Sequence, residues 1–256
     1  MIFTTEAIVL KCIEYSNTSQ ILHLFTDTQG KVALIAKGTR RKNKTGISNE
    51  IQLLNHLSLV YYQRTAEQLG VLQEYELRNS FLAIRTSLAK IFVALHWLEL
   101  LKECTNDNEP NLMLFHTIRS GLQKLCQVKC CHNLFFYLQA QILNILGLNP
   151  HIESCIQCQT PIHAASKHII FAPQHGGIFC AKCHDRAKGV KFQISGSSIA
   201  KMLQIQQQEN TWDTMLLSAQ EGHELLTIFR YHLGHHLHKD LQLSNYISEY
   251  VLNVRK

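Results

Sequence analysis

The sequence predicts an α+β chain of several domains: a small five-stranded barrel, then helices, with a cysteine-bearing insertion among the helices. Three observations carry this. Five short β-type runs crowd into residues 1–79, the apolar period turns helical after residue 80, and two Cys-x-x-Cys pairs stand 21 residues apart in a turn-rich stretch.

The β-type runs are AIVLKCI (7–13), QILHLFT (20–26), KVALIAK (31–37), LNHLSLVYY (54–62) and LGVLQEYEL (69–77). Asp27-Thr28-Gln29-Gly30 is a turn in which Gly30 supplies the positive φ. Five short strands cannot cover both faces of an open sheet. Curling into an OB-fold barrel removes their exposed edges. The helical runs follow at 81–104, 112–126 and 133–147, apolar on broad faces and expected to pack as a bundle. Ser195 and Ser197 are candidate N-caps for a later helix, and 224–241 reads as the last long one, crossing Gly234. The expected domains are therefore an OB-fold barrel at 1–79, a helical domain at 80–149 and 192–256, and a cysteine-bearing insertion at 150–191.

Composition narrows the function. With 46% hydrophobic and 17% charged residues, the chain can bury a core and is not of disordered type. It has no apolar run of membrane-spanning length, and its first residues lack the pattern of a signal peptide, so a cytoplasmic protein is expected. In that reducing compartment nine cysteines read as thiols and metal ligands. A formal charge of +6 suits a polyanionic partner. The sequence has no phosphate-binding Gly-rich loop with its Lys, no Gly-x-Ser-x-Gly elbow and no paired helical carboxylates. No enzymatic activity is expected.

Cys155, Cys158, Cys180 and Cys183 form the metal pattern. Two Cys-x-x-Cys turns joined by a β-type linker, HIIFAP (168–173), present four thiolates to one tetrahedral ion. The expectation is one Zn2+ per chain. A full set of four cysteine ligands leaves no position for water or substrate, so the ion is structural. The alternative is a zinc nucleobase deaminase, with His151 as ligand and Glu153 as acid/base beside Cys180 and Cys183. Phe179 stands where that pattern needs proline, and Cys155 and Cys158 would be idle. Cys12, Cys104, Cys126, Cys130 and Cys131 read as core or surface thiols. His232, His235, His236 and His238 are helical neighbours at i,i+3 and i,i+4 spacing, compatible with a polar face that touches phosphate or with a metal site.

Between Asp27 and Glu50 there is no acidic residue, while Lys31, Lys37, Arg40, Arg41, Lys42 and Lys44 fall in the gap. A charge run alone is more often a solvated loop. This one follows the third strand of a small barrel, where such folds meet single-stranded nucleic acid. Phe25, Tyr61 and Tyr62 are nearby candidates for base stacking. A second basic patch, Lys182, Arg186, Lys188 and Lys191, begins inside the last cysteine turn and reads equally as a further DNA contact or as a solubilising surface.

The segment EAIVLKCIEYSNTSQILHLFTDTQGKVALIAKGTRRKNKTG resembles the opening of the bacterial recombination mediator family RecO. The order of its Ile-Val-Leu strand, Leu-Phe-Thr strand, Gly-Lys turn and Ala-Lys-Gly-x-Arg-Arg segment is that family's. The likeness extends over nearly the whole chain, and the four cysteines match its zinc-bearing members. The resemblance implies binding to single- and double-stranded DNA, annealing of complementary strands, and help in loading RecA onto DNA coated with single-strand-binding protein. The implied protein partners are RecR and the acidic C-terminal tail of single-strand-binding protein. The implied DNA contacts are Lys37, Arg40, Arg41, Lys42 and Lys44, with Lys31 beside them. The implied location is the bacterial cytoplasm, at the nucleoid.

Overall fold

The structure is a computed structural model that describes residues 1–41, 50–66, 68–207 and 212–252. The chain divides into two compact units. One comprises Met1–Thr86 and Trp97–Gln127, the other Ser87–His96 and Val128–Lys256.

In the first unit β1 (Ile2–Glu14), β2 (Gln20–Thr26), β3 (Gly30–Ala36), β4 (His56–Tyr62) and β5 (Gly70–Asn79) close into a barrel in the order β1-β2-β3-β5-β4. This is the OB-fold barrel the sequence predicts. Alternate residues point inward, among them Ala7, Val9, Leu22, Leu24, Leu34 and Leu59, all buried. β1 is longer than its apolar run suggests. Ile2–Ile8 pair with β4, and Ala7–Glu14 pair with β2. A bulge between Val9 and Lys11 bends the strand so that one segment serves two neighbours. Gly30 closes the β2–β3 turn at φ 66°, as its place in the turn requires.

Closure is made by a parallel pairing, which joins Leu34 to Gly70 and Ile35 to Val71. Residue 70 must be small there. A Cβ on Gly70 would lie 2.5 Å from Leu34 Cδ2 and 3.2 Å from Tyr61 Cδ2, both in the core.

The helix α2 (Leu112–Gln127) lies in the barrel's unit, so the three helices of the expected bundle are divided between the two units. The physical reason is on the outer face of β1 and β2. Phe25 is buried there against Phe115 of α2, at 6.2 Å between ring centroids. Arg119 Nη1 also donates to Glu6 Oε2 at 2.8 Å.

In the second unit α3 (His132–Ile145) precedes a small sheet of β6 (Ile169–Ala172), β7 (Gly177–Phe179) and β8 (Phe192–Ile194), ordered β7-β6-β8. Then come α4 (Gly196–Gln207), α5 (Ala219–Leu237) and α6 (Ser244–Tyr246), which runs into a π-helical turn at Ile247–Leu252. Ser195 caps α4, its Oγ accepting from the Ser198 amide at 3.2 Å. α5 starts earlier than its apolar run suggests because Ser218 and Glu221 form a capping box. It crosses Gly234 without a break and ends at His238, whose φ is 53°. Residues of α1 (Leu88–Cys104) up to His96 belong to this unit. Among them Phe92 stacks on Tyr246 at 4.8 Å, and buried His96 bonds Gln139 Oε1 through Nε2 at 3.1 Å.

Two outcomes follow from this packing. Gly70→Val should lower stability by about 1–3 kcal/mol, the usual cost of overfilling a packed core. The urea midpoint measures it, and an unchanged midpoint would mean that closure tolerates a side chain. Burial also holds His96 neutral, its pKa pulled down to about 4. Its contribution is therefore present above the unfolded value near 6.5 and is lost as pH falls from there toward 4. His96→Gln should remove ~2–3 kcal/mol of the pH dependence in that window. Parallel pH profiles of unfolding for the two proteins would deny His96 this role.

Candidate metal centre and nucleic-acid face

The sulfur atoms of Cys155, Cys158, Cys180 and Cys183 all lie within 4.8 Å of one another. The first pair sits on a turn closed by the Gln159 amide donating to Cys155 O at 2.8 Å, with Gln159 at φ 59°. The second follows β7 directly and is closed by the Cys183 amide donating to Cys180 O at 3.0 Å. The turns are held together by backbone pairing, the Ile156 amide donating to Ile178 O at 3.0 Å. Cys155 and Cys183 are buried with Ala172, Phe179 and Ala187, and Cys158 is exposed.

The donor set fits a metal. The edge of a zinc tetrathiolate tetrahedron is about 3.8 Å for Zn–S bonds near 2.3 Å, and Cys158 Sγ lies 3.6 Å from Cys180 Sγ. Two of the sulfurs are shifted in opposite directions. Hydrogen bonds from Thr160 pull Cys158 down to about 6, while burial and the neighbouring sulfurs push Cys183 up to about 12. A divalent cation at the centre would favour the thiolate form. Among the described residues this is the one group of three or more His, Cys, Asp or Glu side chains close enough to share an ion. His151 stands outside it, hydrogen-bonded through Nε2 to Ser154 Oγ at 2.9 Å.

On the barrel, the basic residues after β3 fall into distinct settings. Lys37 and Arg41 are exposed, with no ion pair among the described residues. Arg40 is a clamp. Its guanidinium reaches Glu14 at 2.9 Å and Glu50 at 3.4 Å, and donates to Ser16 O at 3.2 Å. Beside it, buried Thr39 donates to Gln20 Oε1, which also accepts from the Ile51 amide at 3.1 Å. Thr39 and Ile51 are thus both tied to the start of β2. Lys42 and Lys44 lie outside the described residues. Lys31 is largely covered, its Nζ donating to Lys102 O at 2.8 Å and lying 3.4 Å from Asp107. Of the aromatic candidates, Phe25 and Tyr61 are core, and Tyr62 is exposed. Lys182, Arg186, Lys188 and Lys191 are all exposed.

The barrel face holds residues that sequence reasoning missed. A cavity of about 710 Å³ is lined by Lys11, His23, Lys102, Asp107, Ala66, Gln68 and Leu69, together with the already predicted Lys31. It lies over β1, β2 and β3, the side on which such barrels take oligonucleotides. Burial, then Lys11, lowers the pKa of His23. No local signal marks Lys11 or Lys102, because only folding brings them to one groove.

Fold and site together define a class: an OB-fold protein with a four-cysteine group that could hold a metal ion. Comparison with known proteins narrows the class to a family. The model of the recombination protein O N-terminal region matches residues 1–81, and that of its C-terminal region matches 85–244. The chain belongs to the recombination protein O (RecO) family. A "DNA repair protein RecO" of Syntrophus aciditrophicus is 26% identical over 247 residues, covering 96% of this chain and 95% of that protein. One of Chloroherpeton thalassium is 28% identical over 182 residues, 69% and 70% of the two chains. One of Salinibacter ruber is 33% identical over 153 residues, 59% and 58%. Among the described residues no helix is long and apolar enough to cross a membrane.

Cys155→Ser should lower bound metal and destabilise the second unit, because forming such a site is coupled to folding. Metal analysis and thermal unfolding of the purified variant check this. Full metal content in an intact fold would remove Cys155 from the ligand set.

Proposed function

We propose that the chain is a non-catalytic DNA-binding and strand-annealing protein of recombinational repair. In this reading it helps to load the recombinase RecA onto DNA covered by single-strand-binding protein. It works with RecR and binds the tail of single-strand-binding protein, in the bacterial cytoplasm. The observation that carries the reading is the joint match of two family models over 1–81 and 85–244, to a family whose relatives are named DNA repair proteins. The division of labour we infer is the barrel at 1–79 for nucleic acid, a zinc ribbon at 150–191, and the helical segments at 80–149 and 192–256 as frame.

The DNA contacts in this reading are Lys37 and Arg41, with Lys42 and Lys44 continuing the segment and Arg40 and Lys31 beside them. Exposed cations neutralise phosphates and release counterions. Arg40 supports the segment through its carboxylate partners, so part of any Arg40→Ala effect is structural. The exposed patch of Lys182, Arg186, Lys188 and Lys191 is a secondary DNA surface. The ion we assign to the four cysteines is one structural Zn2+ per chain, and thiolate chemistry favours it. The deaminase alternative is weaker, because His151 is bonded to Ser154 outside the thiol group and all four thiols converge without it.

The test is annealing of complementary oligonucleotides across a salt series, without nucleotide. The wild type should accelerate annealing, less so as salt rises. Lys37→Ala/Arg41→Ala should weaken DNA binding and flatten its log–log salt slope by ~0.7 per lost single-strand contact, with thermal stability unchanged. An unchanged slope would remove these residues from the interface. Absence of both annealing and DNA binding in the wild type would refute the reading.

A further inference from the structure

The last long helix carries a histidine cluster that the DNA-binding reading does not use. His232 and His236 stand one turn apart on α5, with ring centroids 4.5 Å apart and planes at 72°. His232 is buried. Its Nε2 lies 2.9 Å from Leu148 O, and since a carbonyl only accepts, Nε2 carries the proton. That fixes the tautomer and leaves the lone pair on Nδ1, which has no hydrogen-bond partner among the described residues. A buried imidazole nitrogen without a partner is costly and uncommon in folded proteins.

This is the arrangement that prepares an imidazole for a metal. Metal-bound histidines characteristically donate the second ring N–H to a backbone carbonyl or carboxylate, which sets the ring and raises ligand basicity. Two histidines at i and i+4 present their nitrogens on one helical face. Burial, then His236, pulls the pKa of His232 down to about 4, so it is neutral at ordinary pH. Around the exposed His236 the surface opens into a depression of about 400 Å³. His175, His235 and His238 line it as well, and no carboxylate is among its lining residues. Without a carboxylate the place offers a hard cation only neutral oxygens such as that of Gln174, whereas imidazole suits zinc, copper and nickel.

We propose that His232 Nδ1 and His236 form a second metal site, distinct from the four cysteines, for a divalent late transition metal such as Zn2+, Cu2+ or Ni2+. The pair provides two protein ligands. Of the two, His236 lines the depression together with His175, His235 and His238, so further ligands or water would come from that side.

The experiment titrates Zn2+ calorimetrically into full-length protein already carrying one zinc. The wild type should take up a second equivalent more weakly than the first. His236 is exposed, so His236→Ala should leave the fold and the first zinc intact while weakening the second equivalent by at least about tenfold. His116→Ala, in the other unit, should leave the second equivalent unchanged. With Cu2+ as probe, electron paramagnetic resonance should report nitrogen coupling from two imidazoles in the wild type and from fewer in His236→Ala. Absence of a second equivalent in the wild type would overturn the proposal. So would one that persists in His236→Ala with unchanged affinity, or one that His116→Ala abolishes.

Discussion

Closure of the barrel rests on two residue pairs, Leu34 with Gly70 and Ile35 with Val71. The other strand pairs are antiparallel and longer. This contact is the one that turns a curved sheet into a barrel, and it is possible because residue 70 brings no side chain into the space held by Leu34 and Tyr61. Two residues beyond the pair the chain leaves β3 for the basic segment. Its first turn is held by Thr39 on Gln20, and its far end by Ile51 on the same glutamine. A single buried amide therefore anchors Thr39 and Ile51 to β2, and the described cations Lys37 and Arg41 are exposed. Without closure, β3 would be an edge strand, paired with β2 on one side only, from Thr26–Gly30 to Gln20–Ala36.

The second unit solves a different problem. Its sheet has strands of three and four residues, too short to bury much apolar area. The buried cluster beside it is small, and two of its members, Cys155 and Cys183, are themselves in the thiol group. Small structural elements of this kind commonly depend on a metal for stability. Four thiols within 4.8 Å form a donor set suited to one cation, and burial and the neighbouring sulfurs raise the pKa of Cys183. Where four cysteines converge to hold an ion, folding energy and metal affinity are linked.

What could be read from the sequence was what depends on near neighbours. The alternation in QILHLFT and KVALIAK marks β2 and β3 almost to the residue, and the two Cys-x-x-Cys turns mark the metal group. The start of β1 was hidden, because Ile2–Thr5 become strand by pairing with the distant residues 59–62 of β4. The start of α5 was hidden by a polar first turn whose signal is the Ser218–Glu221 cap. For α2 the apolar face was plain, but what covers it was not. Phe115 meets Phe25, and no periodicity names a partner so far away in the chain.

The basic residues make the same point more sharply. In sequence, Lys31, Arg40 and Arg41 count alike. Folding brings Asp107 and a carbonyl to Lys31, two carboxylates to Arg40, and none among the described residues to Arg41. A cation that already holds a carboxylate must give up that partner before it can neutralise a phosphate, so its gain on binding is the difference between two interactions. An exposed cation without such a partner gives up only water and counterions. Charge density along the chain marks a candidate segment, but the partners supplied from Glu14, Glu50 and Asp107 decide which of its residues are free to meet a phosphate and which hold the fold.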